Sequence, residues 1–373
     1  MRGAALTRSI VRAIVAAWLA SSSCGEPSAP GPGESLTPVV ENADWPASSP
    51  EAEQLDPSRL GDLVQRIRRG DHGSIASLLI VRHGKLAVEE YFGDWTADRA
   101  HTMQSVSKSV VSLLVGIAAG EGALSIGDPA TQFFPGYEPF ANFDERKAAM
   151  TVRDLLTMRT GLDWSENPYD GSPLQQLNQC RCDWLRFVLD WPMREAPGTR
   201  WEYVSGGVIL LGGVVGAATG MRLDQFALAK LFGPLGVTGA YWVRGQPDLL
   251  PHGGGGLFLR PRDTAKLGQL VLDRGAWRGT QLVDSDWIEQ STQRVERGLL
   301  VWSGHSFDYG ALWWLTGDGR GGDVITAAGS LGQWIFVVPR HQLVVVSNGD
   351  NNDQRWSSAV EFLFTHVLPS ITD

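Results

Sequence analysis

The chain has 373 residues, of which 43% are hydrophobic and 20% charged. That composition excludes a disordered chain, a collagen-like repeat and a polytopic membrane protein. Lys plus Arg total 32 against 41 Asp plus Glu, a net charge of −9 with no basic stripe, so no nucleic-acid partner is expected.

Residues 1–24 read as an export signal. Arg2, Arg8 and Arg12 form a positive start, and the apolar run from Ala13 to Ala20 is too short to cross a bilayer. Ser21, Ser22 and Ser23 then lead to Cys24, the pattern of a bacterial lipoprotein site in which Cys24 carries the lipid and attaches the chain to a membrane. Ser21 stands where such sites usually hold Leu, so lipidation and plain secretion stay equally open. Either way the expected location is exported, in the periplasm or cell envelope. Residues 25–57 carry Pro27, Pro30, Pro32, Pro38, Pro46, Pro50 and Pro57 and show no apolar period, so they read as a poorly packed tether. The folded body, 58–373, begins near Ser58.

Leu60, Leu63, Val64 and Ile67 recur at helical spacing and predict a helix over Ser58–Arg69. Ile75–Gly93 reads as two strands around a turn at His83-Gly84-Lys85. Val106–Ala119 is almost wholly apolar and predicts a buried helix. Residues 125–250 are mainly helical stretches and loops, including Val152–Met158, Asp183–Asp190 and Val208–Ala218. Strand signals return at Tyr309–Thr316, Trp334–Val338 and Leu343–Ser347, before a last helix over Ser357–Val367. Strands at both ends with helices between them predict an α+β fold, one sheet interrupted by a helical insertion at about 125–250.

Three segments carry candidate chemistry. Ser105-Val106-Ser107-Lys108 opens the buried helix, and residues three apart lie one turn apart on one face. The Lys108 amine would then sit beneath the Ser105 hydroxyl, and burial would lower its pKa and make it a base. The helix N-terminus would favour a developing oxyanion. Read alone, the pattern suits equally an ordinary helix capped by Ser105 with Lys108 at the surface. Lys108 is, however, the only charge between Gln104 and Ala119. The second segment is Trp201-Glu202-Tyr203-Val204-Ser205, where Tyr203 can present its hydroxyl to a cleft and pass protons beside a lysine, or simply pack on the core. The third is Ala327-Ala328-Gly329-Ser330-Leu331-Gly332-Gln333, whose small residues let a backbone edge approach a ligand or merely turn the chain.

In this order and spacing the three segments resemble the serine β-lactamase and penicillin-binding-protein superfamily. The resemblance is closest to the class C β-lactamase-like branch, with its family VIII esterases, D-aminopeptidases and 6-aminohexanoate-dimer hydrolases. Further matches are Leu155–Trp164, Pro197-Gly198-Thr199, and Gly254–Leu257 followed by Arg262-Asp263, so the likeness runs from about residue 75 to 345. It implies a β-lactamase/transpeptidase-like fold, a mostly antiparallel sheet flanked by helices with an inserted helical domain, and a cleft between the two. It implies that Ser105 is the acylated nucleophile, Lys108 its base and Tyr203 the proton carrier to the leaving group, with the amides of Ser105 and Ser330 as oxyanion hole. Tyr169, Ser205 and Gly329 would face the substrate. No metal or cofactor is implied.

Two departures bear on substrate. The usual Tyr-x-Asn is Tyr203-Val204-Ser205, and the Lys-Thr-Gly of the lactamases aligns with Ala327-Ala328-Gly329. The cation that would meet a substrate carboxylate is therefore missing. The expected activity is that of an exported serine hydrolase acting on small, uncharged or weakly charged esters or amides. β-Lactamase or D-Ala-D-Ala-type peptidase activity is the alternative within the same chemistry, and a non-catalytic peptidoglycan-binding protein is the alternative outside it.

A rival triad is visible. His252-Gly253-Gly254-Gly255 mimics a lipase oxyanion loop, and Ser330, Asp353 and His366 fall in the order of an α/β-hydrolase triad. Its elbow requires a helix after Ser330, where Trp334–Val338 reads as a strand. The seven histidines show no zinc-binding spacing. Cys180 and Cys182 could bind a metal or close a short-loop disulfide, with two thiols as the default reading, and Asp318–Asp323 and Asp350–Asp353 read as turns or loops. Of the 15 Trp, most are expected in the core, and some could line an apolar pocket.

Overall fold

The computed structural model describes residues 36–245, 250–352 and 354–373. The export signal, Cys24, Pro27, Pro30, Pro32 and Asp353 lie outside the described residues.

Residues 36–57 are where the structure departs most from the sequence reading: they lie on the body instead of forming a loose tether. Trp45 and Leu55 are buried, and Ala47 bridges to Leu86. Thr37 bonds Glu90 through both its amide and its hydroxyl, and Lys266 reaches Asp44 at 2.7 Å. Proline fixes φ without preventing packing, so a Pro-rich stretch that offers a Trp and a Leu at the right places can dock.

Asp56 caps helix α1 (Pro57–Arg68), whose Leu60, Leu63, Val64 and Ile67 are its buried face. Strands β1 (Ile75–Arg82) and β2 (Lys85–Tyr91) form the expected hairpin, and β3 (His101–Thr102) leads into helix α2 (Val106–Gly120). The insertion follows as short helices: α3 (Glu145–Ala149), α4 (Val152–Leu156), α5 (Pro173–Gln179), α6 (Trp184–Leu189), α7 (Ser205–Thr219) and α8 (Leu223–Ala227). Strands β4 (Tyr241–Trp242) and β5 (Leu257–Leu259) join β3 in a small sheet. Helix α9 (Pro261–Leu272), the hairpin β6 (Ala276–Trp277) and β7 (Thr280–Gln281), and helix α10 (Ser285–Ser291) return the chain to the main sheet. Its remaining strands are β8 (Glu296–Trp302), β9 (His305–Tyr309), β10 (Trp314–Gly317), β11 (Asp323–Gly329), β12 (Gln333–Val338) and β13 (Leu343–Gly349), and α11 (Ser358–Phe362) follows.

The main sheet has the order β2-β1-β13-β12-β11-β10-β9-β8 with every pairing antiparallel. Strands β1, β12 and β13 are buried at every position, and helix α9 packs against all three. This is the expected α+β architecture. Two strand readings change. β8 is largely exposed and carries Glu296 and Arg297, so its alternation is too weak to read. The strand expected over Tyr309–Thr316 is broken at Gly310–Trp313, where Ala311 donates to the Ser291 carbonyl and a Cβ on Gly310 would come within 2.5 Å of it. Cys180 and Cys182 are joined in a disulfide just past α5, the turn bringing their Cα atoms to 5.3 Å.

Candidate active site

Helix α2 is buried along nearly its whole length, which carries Lys108 into the protein with 2% of its surface exposed. Ser105 occupies the cap position but makes no side-chain cap bond, so its hydroxyl is available elsewhere. The Lys108 ammonium nitrogen lies 3.0 Å from Ser105 Oγ and 2.5 Å from the carbonyl of Gly254. Burial pulls the Lys108 pKa down to about 8, against a smaller opposing pull from the Glu166 charge. Against its burial, the Ser105 hydroxyl pulls the Tyr203 pKa down, and Lys108 Nζ stands 4.8 Å from the centre of the Tyr203 ring. Burial raises the Tyr203 pKa, so the group is a neutral phenol that holds its proton until a neighbour takes it. The structure thus brings Ser105, Lys108 and Tyr203 together from a β3–α2 junction and the entry to α7.

The third segment closes on the same place. Strand β11 ends at Gly329, where an added Cβ would lie 2.5 Å from the Met103 carbonyl and 3.0 Å from Gln104 Cβ. Ser330 Oγ reaches Gln104 Oε1 at 3.4 Å. Gln104 itself takes a left-handed φ of 46°, which turns the chain sharply into α2. The backbone amides of Ser105 and Ser330 take no acceptor among the described residues, as an oxyanion hole requires.

Two readings are corrected, and the rival triad fails as its sequence context implied. Ser205 is 2% exposed and donates its hydroxyl to Glu166 Oε2 at 3.0 Å, so it supports the site from beneath and does not face a substrate. Tyr169 is joined to the site only at second hand: its hydroxyl accepts from Asn178, whose Oδ1 takes the Nε2 proton of His252. Ser330 sits in the turn of the β11–β12 hairpin and His366 bonds Asp62 and Thr365, so the rival triad has neither its elbow nor its base.

Two contributors were missed. Glu166 accepts from the Ser205 amide at 2.5 Å, the Ser205 hydroxyl and Trp164 Nε1 at 2.9 Å. The glycine run after His252 lines the site and supplies the carbonyl that holds Lys108. His252 is half-buried beside Lys108, and desolvation together with the Lys108 charge lowers its pKa to about 4, so it is a neutral ring. Among the described residues no group of three His, Cys, Asp or Glu is placed to hold a metal, and no single helix is long and apolar enough to cross a membrane.

Fold and site together define a serine hydrolase. The chain belongs to the beta-lactamase family, which it matches over residues 62–362. It is 25% identical to a 6-aminohexanoate-dimer hydrolase of Paenarthrobacter ureafaciens over 78% of this chain and 75% of that one. It is 28% identical to the esterase EstB of Burkholderia gladioli over 47% of this chain, which spans 48% of that enzyme. The fold is that of EstCE1, described as a hydrolase with promiscuous acyltransferase activity, at a TM-score of 0.67, 16% identity and coverage of 87% of this chain and 100% of that one.

Proposed function

We propose that the chain is an exported hydrolase of small, uncharged or weakly charged esters or amides, acting through an acyl-enzyme on Ser105. The observation that carries this is the buried Lys108 amine 3.0 Å from the Ser105 hydroxyl and 4.8 Å from the centre of the Tyr203 ring. Ser105 Oγ attacks the substrate carbonyl carbon while its proton passes to Lys108. The developing oxyanion is held by the amides of Ser105 and Ser330. Tyr203 delivers a proton to the departing alkoxide or amine and is reprotonated from Lys108. Water then attacks the acyl carbon, gives up a proton along the same path, and releases the acid and Ser105.

The substrate class rests on Ala327, Ala328 and Gly329, where the lactamases' Lys-Thr-Gly would place a cation. All three are buried and apolar. A substrate carboxylate held there without a partner would cost on the order of 1–3 kcal/mol. The relatives that hydrolyse an ester and an amide support the same class. The test is a panel on the purified chain: a short-chain p-nitrophenyl ester is expected to be turned over with a kcat/KM at least about tenfold above that of a chromogenic cephalosporin. The reverse order would make the chain a β-lactamase or D-peptidase, and no labelling by a fluorophosphonate would make it a binding protein.

The pH dependence has a definite sign. Only the neutral Lys108 amine can accept the Ser105 proton, and its pKa is about 8. Activity therefore rises with pH, roughly tenfold per unit on the acid side, and levels above the Lys108 pKa. A kcat/KM profile that is flat from pH 6 to 9 (roughly two units below to one above) would remove Lys108 as the base.

Export is part of the proposal on the strength of the Arg2–Cys24 pattern alone. Fatty-acid labelling of the wild type but not of Cys24→Ser would distinguish a lipoprotein from a secreted chain.

A further inference from the structure

We propose that Glu166 is a positioning residue of this reaction, acting through Ser205 to fix both Tyr203 and the Gly254 carbonyl that holds Lys108. The proposal rests on the acyl-enzyme reading above. Glu166 lies on the loop between α4 and α5, far in sequence from both groups it would position.

Its carboxylate is gripped by three donors. Oε1 accepts from Trp164 Nε1 and from the Ser205 amide, and Oε2 accepts from the Ser205 hydroxyl. Ser205 opens α7, and its amide is one of the donors a helix start leaves without an intrahelical partner. Val204, which precedes it, has no capping side chain. Glu166 thus supplies from a distant loop the acceptor that a local cap would normally provide. Tyr203 lies two residues ahead of that anchored point. The next amide, Val204 N, is directed at Met158 Sδ, and Glu202 N donates to the Met158 carbonyl. The Tyr203 backbone is therefore pinned on both sides.

Ser205 also sets the far wall. A Cβ on Gly254 would lie 3.2 Å from both Ser205 Cβ and the Ser205 carbonyl oxygen. The Gly254 backbone therefore rests on Ser205, and its carbonyl is the 2.5 Å partner of Lys108 Nζ. One carboxylate consequently controls the seat of the phenol and the seat of the amine.

Its charge reaches the same groups. The titratable side chains around it are Lys108 on α2, Tyr203 ahead of α7, Tyr309 on β9 and, beyond Lys108, His252. The Glu166 charge pushes the pKa values of Lys108, Tyr203 and Tyr309 upward, against the burial that lowers Lys108. Burial raises the Glu166 pKa, against the smaller opposing pull of the Lys108 charge and of the three donors around the carboxylate.

The experiment compares Glu166→Gln, Glu166→Asp and Ser205→Ala with the parent on a p-nitrophenyl ester across pH. Glu166→Gln is expected to lower kcat about tenfold or more with KM within about threefold, the mark of lost alignment and not of lost substrate binding. Its acid limb is expected to move to lower pH by about half a unit or more, because Lys108 loses a neighbouring negative charge. Glu166→Asp shortens the arm but keeps the charge, so its kcat falls while the limb stays at the parent's position. Ser205→Ala breaks one of the two arms and is expected to lower kcat about threefold or more with an unmoved limb. Parental kcat in Glu166→Gln, or a fall in kcat with the limb unmoved in that variant, overturns the proposal. If Glu166→Gln does not fold, parental kcat in both other variants overturns it. Retained activity in Ser105→Ala would instead sink the acyl-enzyme reading, so the two failures are told apart.

Discussion

Ser105→Ala loses ester hydrolysis, with kcat falling by about 10⁴ or more, while its thermal midpoint stays within about 2 °C of the parent. The two halves of this result come from different parts of the structure. The hydroxyl is the point on which the Lys108 amine and the Tyr203 phenol converge, so its removal leaves both without a substrate-attacking atom. It makes no capping bond to α2, so its removal costs the fold little. Lys108→Ala lowers kcat to a similar floor, and the double variant falls no further, because residues that act as one unit do not contribute additively. Unlike Ser105→Ala, it also leaves the Gly254 carbonyl unpaired in the interior, so it is the less stable of the two. Steady-state kinetics with intact-mass detection of the acyl adduct checks both points. Ser105→Ala retaining more than about a tenth of the parental kcat would remove Ser105 from the chemistry.

In Gly329→Val activity and stability are expected to fall together. A Cβ at Gly329 meets the Met103 carbonyl at 2.5 Å, Gln104 Cβ at 3.0 Å and Gln333 Cβ at 3.1 Å. Two of those neighbours belong to the backbone turn into the nucleophile, and the third to the paired strand. β11 cannot move aside, because β10 and β12 are laced to it on either edge. The strain must displace either Ser330 or the Met103–Ser105 segment, and each carries one amide of the proposed oxyanion hole. The expected cost is about 10²–10³ in kcat and on the order of 2–4 kcal/mol in stability. Urea denaturation and ester kinetics on the same preparation read the two losses. Gly329→Val with parental kcat would show that the two segments are not held against each other as described.

Much of this site was legible in the chain because its signals are local. A lone lysine in an apolar helix, three residues after a serine, states its own geometry through the helical period. The hairpin at His83-Gly84 and the wholly apolar β13 are equally local. What escaped the sequence is long-range or carried by backbone. The partner of Lys108 is the Gly254 carbonyl, and a carbonyl oxygen has no residue type to betray it. Glu166 is held by the entry to α7, in a segment read for Tyr169, and nothing in its neighbours marks it as buried. Ser205 was read toward the substrate because it stands where relatives carry an amide; its hydroxyl turned instead to the nearest buried acceptor. Residues 36–57 misled for a compositional reason: proline content reports backbone stiffness, and docking was decided by Trp45 and Leu55.

The pairing of β1 with β13 places the main sheet's first and last strands in chain order side by side, next to its β2 edge. Leu55 bridges Ile371, the Asp56 amide donates to the Ser370 carbonyl, and Arg82 meets Asp373 at 2.5 Å. The start of the body and the last described residues are therefore already stitched together. That adjacency suits the molecule to circular permutation, and the exposed turn at Ser303-Gly304 offers an opening remote in sequence from Ser105 and Tyr203. A rearranged chain of this kind would keep the reactive centre while delivering its new ends to the outer edge of the sheet, a convenient point for immobilisation.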